Sequence, residues 1–105
     1  MNDLAAILAG ITRAHVFRGL ADLAEGIDAE RNPYPPFNLN ELGPRTYIGG
    51  EPYNARTLVA FAAKHGPRSI PVGGLVIDDS DEDSDRLCRE HLQSLGFQFH
   101  ELRKV

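Results

Sequence analysis

Four prolines fall between Arg31 and Arg45, interleaved with Asn32, Asn38, Asn40 and Gly43. Proline has no amide hydrogen to donate and its φ is fixed, so neither a helix nor a central strand runs through such a segment. Residues 31–45 therefore read as a loop, and regular structure must be built on either side of it. Loops this long in a compact domain are uncommon and often functional. Its aromatic residues, Tyr34 and Phe37, become candidates for contact with a partner.

Upstream of the loop, Leu4, Ile7, Leu8, Ile11, Ala14 and His15 recur at helical spacing, and Phe17, Leu20, Ala24 and Ile27 continue the stripe with a small drift. The pattern fits one long helix or two, ending near Ala29. Gly10 and Gly19 each cost about 1 kcal/mol relative to alanine inside a helix, which marks them as places for a kink or a close packing contact. Downstream, Tyr47-Ile48-Gly49 can add a short strand. Pro52 suits a first helical position, Tyr53, Leu58, Phe61, Ala62 and His65 form a stripe, and Gly66-Pro67 is a stop signal. A helix over 52–65 follows.

In the C-terminal part, residues 70–72 and 75–77 flank Gly73-Gly74, which is either a two-residue hairpin turn or the entrance to one buried strand. Pro71 restricts the first of these to a sheet edge. Leu87, Cys88, His91, Leu92 and Leu95 make another helical stripe ended by Gly96, and residues 97–102 alternate like a half-buried strand. The expected fold is α+β, with three helices packed on a small sheet formed mainly by the C-terminal part. One domain over 1–105 is expected, mainly helical over 1–66 and strand-helix-strand over 67–105.

The chain of 105 residues can bury one core without disulfides or metal. Its 15 acidic and 11 basic side chains give a net charge of −4, so there is no overall basic field to attract phosphate backbones, and generic nucleic-acid binding is disfavoured. Cys88 is the single cysteine, which rules out an internal disulfide and fits a reducing cytoplasm. The stretch 4–11 is too short to span a bilayer, and Met1-Asn2-Asp3 lacks the positive region of a secretory signal. A cytoplasmic protein with no membrane association is expected. A domain of this size is compatible with a homodimer.

Residues 78–85 hold six acidic side chains in eight positions. The plainest role for them is a helix start, with Ser80 or Asp81 as cap and the first-turn carboxylates favoured by the helix dipole. Asp79, Asp81, Asp83, Asp85 and Glu90 also match positions 1, 3, 5, 7 and 12 of an EF-hand count, although Ser84 stands at the turn glycine and Arg86 at the usual apolar position. A third role is imitation of phosphates, in which Asp79, Asp81, Glu82, Asp83 and Asp85 steer a basic groove of a partner. Cys88 and His91, three apart on a helix, have no second pair to complete a metal site, and no phosphate loop surrounds the thiol. Glycine-rich phosphate cradles, nucleophile elbows and paired metal-binding histidines are missing from the sequence. No cofactor, metal or catalytic residue is therefore assigned.

Gly19 and Gly26 are seven apart, Pro33-Tyr34 begins fourteen after Gly19, and Tyr47-Ile48-Gly49-Gly50 follows. Over residues 19–55 this spacing resembles ribosome modulation factor, in which two helices are joined by a turn and the connecting and second-helix residues carry a tryptophan, a glycine pair and another tryptophan; Tyr47-Ile48-Gly49-Gly50 looks like the first tryptophan and the glycine pair. Glu51 stands where that family has its second tryptophan. The resemblance implies a ribosome-associated modulator, and small phage and mobile-element proteins share the layout. A second resemblance, to the opening of dual-specificity phosphatase domains, lies in Tyr47-Ile48-Gly49-Gly50, the helix to His65-Gly66, Val76-Ile77-Asp78 and Leu95-Gly96-Phe97, with no catalytic loop to follow. It implies at most a parallel sheet, with a small hydrolase as the corresponding alternative. The leading expectation is a non-enzymatic binder of phage or mobile-element type that modulates or inhibits a larger machine by occupying its surface. The acidic-inhibitor form of it is a device that some anti-CRISPR proteins use. Tyr34, Phe37 and Tyr47 would be its apolar anchors and the acidic run its steering charge, against a nucleic-acid-handling complex or the ribosome.

Overall fold

A computed structural model describes residues 4–27, 46–48, 51–72, 74–75 and 82–100. These residues form α1 (Leu4–Ala9), α2 (Arg13–Glu25), β1 (Thr46–Ile48), β2 (Glu51–Tyr53), α3 (Ala55–His65) and α4 (Glu82–Ser94). The expected loop over 31–45, with Tyr34 and Phe37, lies outside the described residues.

The N-terminal stripe is two helices. Gly10 and Ile11 close α1 with bonds to the Ile7 and Leu8 carbonyls, and Thr12 starts α2 with a capping box. The Thr12 Oγ1 accepts from the His15 amide at 3.4 Å, while His15 Nδ1 accepts from the Thr12 amide at 3.0 Å. Histidine here takes the role that glutamate or glutamine usually fills. The restart resets the phase of the apolar face. Val16, Gly19 and Leu20 face inward, whereas Phe17, Ala24 and Ile27, expected to continue the stripe, are exposed. The helix stops at Glu25, four residues before the expected end, because Gly26 adopts a left-handed conformation (φ 73°) and the Ile27 amide bonds back to the Asp22 carbonyl at 2.9 Å.

At Gly19, α2 crosses α3 backbone to backbone. A β-carbon there would lie 2.9 Å from the Phe61 carbonyl carbon and 3.0 Å from the Ala62 nitrogen, so the absence of a side chain sets the closeness of the helix pair. Helix α3 is the hub. Eight of its eleven residues are buried, Leu58, Val59 and Phe61 among them, and α1, α2 and α4 all pack against it. A helix apolar around most of its circumference is stable only in such an enclosed place. Helix α4 presents Ser84, Cys88 and Leu92 to the interior at i, i+4, i+8 spacing.

The α3 start differs from expectation. Pro52 lies in β2, and Asn54 caps the helix by accepting from the Thr57 amide at 2.7 Å. Its end at His65 and Gly66 is as expected.

The α+β architecture with three helices on a C-terminal sheet is not what forms. The described residues are mainly helical, with four helices, and their strands are β1 and β2, a short antiparallel ribbon in the middle of the chain pairing Thr46 with Tyr53 and Ile48 with Glu51. The backbone groups that a C-terminal sheet would need are used elsewhere. The Ile70 amide bonds to the Ala63 carbonyl at 3.1 Å, docking that segment on the end of α3, and Gly74 closes a turn onto the Pro71 carbonyl at 2.8 Å. The Phe97 amide bonds to the Leu92 carbonyl at 3.1 Å, finishing α4 instead of starting a strand. Among residues 97–100 only His100 makes a β-type contact, an isolated bridge. Residues 76–77 and 101–102 of the two expected strands lie outside the described residues.

Candidate functional site

Of the expected partner-binding residues, Tyr47 is the aromatic one whose place is described. It sits at the centre of β1 opposite Pro52, and strand alternation turns its ring outward while Thr46 is buried. The side chain is 49% exposed. The His100 ring lies beside it, centroids 6.4 Å apart and tilted by 44°. The short ribbon leads through Asn54 into the buried helix α3, and its Ile48 and Tyr53 pack against the core. A large amphipathic ring held in this way is the kind of group that anchors protein contacts.

The acidic run divides. Asp79 and Asp81 lie outside the described residues, as does the Glu82 side chain. Asp83 is on the surface, 75% exposed, with its carboxylate 3.0 Å from Arg86. Asp85 turns towards the α3–α4 seam, where its carboxylate lies 2.9 Å from Arg89 Nε and 4.0 Å from Arg56 Nε. Glu90 lies 3.7 Å from Arg86. Asp83, Asp85 and Glu90 therefore stand on a helix with arginine neighbours, not on a loop wrapped around a cation, and the EF-hand count is not realised in these residues. Among the described residues no group of three or more His, Cys, Asp or Glu side chains is placed to hold a metal ion.

Cys88 and His91 share a helix but have separate tasks. Cys88 is fully buried, and its thiol is pushed up to about 12, first by burial and then by the Asp85 carboxylate, against the opposing effect of Arg56. A thiol held neutral in this way is a poor nucleophile and a poor metal ligand. His91 Nε2 donates to the Ile11 carbonyl at 2.8 Å, tying α4 to the junction of α1 and α2.

Two clusters have no counterpart in the sequence reading. Asp22 Oδ2 accepts from Lys64 Nζ at 2.9 Å and from His65 Nε2 at 2.7 Å, joining α2 to the last turn of α3. Arg13 lays its guanidinium over Phe17 and Phe97, 5.4 and 5.7 Å from the ring centroids, and the two rings are 5.7 Å apart. Arg13 and Phe17 are four apart on α2, but Phe97 in that cluster and Lys64 and His65 beside Asp22 come from far along the chain, and no local pattern signals those pairs.

No protein-family model, curated protein or solved structure matches this chain. Its chemistry has to be read from its own side chains. No helix among the described residues is long and apolar enough to cross a membrane. A small cleft of about 20 Å³, room for a single water, lies among Ile7, Ile11, Ala63, Pro67, Arg68 and Ile70 at the end of α3.

Proposed function

We propose that this chain is a non-enzymatic cytoplasmic binding protein, of phage or mobile-element type, that modulates a larger macromolecular machine by occupying its surface. The observation that carries this reading is Tyr47, half-exposed on a ribbon anchored to the buried α3 helix. Tyr34 and Phe37 on the neighbouring segment would extend the apolar contact. The steering part is narrower than the whole acidic run. Asp83 lies 75% exposed on the surface beside Arg86, where a basic partner can compete for it, whereas Asp85 is held by Arg56 and Arg89 and serves the fold. Gly19 and Gly26, the pair that resembles ribosome modulation factor, have structural tasks in helix crossing and capping.

Affinity capture from the native host, wild type against Tyr47→Ala, tests the anchor. A defined complex retained by the wild type should be recovered about tenfold less well with the variant, as expected for loss of an aromatic hot spot of about 1–2 kcal/mol. Ribosomal subunits as the retained species would select the ribosome-modulating form of the proposal, and a nucleic-acid-handling complex the inhibitor form. Equal recovery by both chains removes Tyr47 from the contact.

A further inference from the structure

The chain that leaves α4 runs to a point beside Tyr47. Gly96 turns it in a left-handed conformation (φ 102°), and the Phe97 amide bonds back to the Leu92 carbonyl at 3.1 Å. Phe97 is buried, its ring 5.7 Å from that of Phe17, with the Arg13 guanidinium over it at 5.7 Å. Two residues on, the half-buried Phe99 packs against the core, and His100 makes an isolated β-bridge. Supports at Phe97, at Phe99 and at the bridge therefore fix the His100 backbone, while its side chain stays exposed.

Tyr47 needs such a neighbour. On the outer face of a three-residue strand, a half-exposed tyrosine has more than one staggered rotamer open to it. The His100 ring stands at 6.4 Å between centroids and is tilted by 44°, inside the range of about 4.5–7 Å over which tilted aromatic rings attract each other. A ring already ordered in the free chain spares a complex the entropy of ordering it on contact.

Resting on the reading of Tyr47 as the partner contact, we infer that His100 is the positioning residue of that anchor. Its ring, carried on the fixed segment 96–100, holds the tyrosine in one orientation before the partner arrives. Arg13, Phe17 and Phe97 are the root of this brace and His100 is its tip.

NMR relaxation of chains carrying carbon-13-labelled tyrosine reads the brace in the free protein. His100→Ala should lower the order parameter of the Tyr47 ring and leave that of Tyr53, which packs on the core, as in the wild type. His100→Phe keeps a ring at the position and should restore the order. In affinity capture from native-host lysate, His100→Ala should recover the complex that the wild type retains about threefold to tenfold less well, with His100→Phe near the wild-type level. A Tyr47 ring equally ordered without His100 overturns the inference, as does a loss of order shared by Tyr53, which is the mark of a ribbon loosened as a whole. Failure of His100→Phe to restore the order or the capture also overturns it. Wild-type capture by His100→Ala, where Tyr47→Ala loses the complex, removes the positioning role and leaves the anchor standing. With no retained complex, or one that Tyr47→Ala keeps, the anchor itself fails and the role of His100 falls with it, whatever the order of the ring.

Discussion

At the scale of single residues, Asp22 joins two helices through one carboxylate. One carboxylate oxygen receives both Lys64 and His65, and these hydrogen bonds, Lys64 first, hold its carboxyl below the ordinary value of 3.8. A carboxyl depressed on folding adds stability above its unfolded value, and that contribution disappears as the pH falls from about 3.8 through the lower folded value. Asp22→Asn should therefore lower stability by on the order of 1 kcal/mol at neutral pH. Melting curves should show the deficit at pH 5, narrowing only in acid below 3.8. A deficit that persists unchanged below pH 2 would assign it to packing instead of charge. The sequence offers no sign of this cluster, since its members lie 42 and 43 positions apart and each reads locally as an ordinary helix-surface residue. His65 was readable only as part of the α3 stripe; its partner on α2 is a product of the helix crossing.

At the scale of elements, caps decide where the pattern begins and ends. Asn54→Ala removes the side-chain acceptor of the Thr57 amide in a buried site and should cost about 1–2 kcal/mol, measurable as a lower denaturant midpoint at unchanged slope. Asn54→Ser or Asn54→Asp, which keep an oxygen there, should recover most of that loss. Helices were legible from apolar spacing because 3.6-residue periodicity is a local property: α3 ends at its Gly66 stop, α4 carries its Cys88 and Leu92 stripe, and Gly19 marks a close contact. The start of α3 was less legible, since a proline that suits a first helical turn also tolerates a short ribbon. The C-terminal strands were misread for a different reason. Alternating residues such as Phe97 and Phe99 suggest a strand only while their amides are available, and the Phe97 amide is committed to the end of α4. Tyr47 was legible as a strand residue, but its exposure depends on which face of the ribbon packs on the core, through Ile48 and Tyr53, and no short window of sequence contains that.

At the scale of the molecule, α3 is the member that the other helices share, so damage to it should propagate. Leu58→Ala empties part of the central contact and should cost about 2–5 kcal/mol, a large part of the 5–15 kcal/mol typical of a small domain. One cooperative transition at much lower denaturant is expected, because α1, α2 and α4 all lean on the same helix. Separate melting of α4 from the rest would show that the hub does not couple them. The single thiol in this packing gives that experiment a second readout. Cys88 has no surface of its own and a thiol held protonated near neutrality, so an alkylating reagent can reach a reactive form only when the molecule opens. Its alkylation rate then counts openings, and a chain carrying one cysteine needs no engineered label to report how often its core is exposed to water.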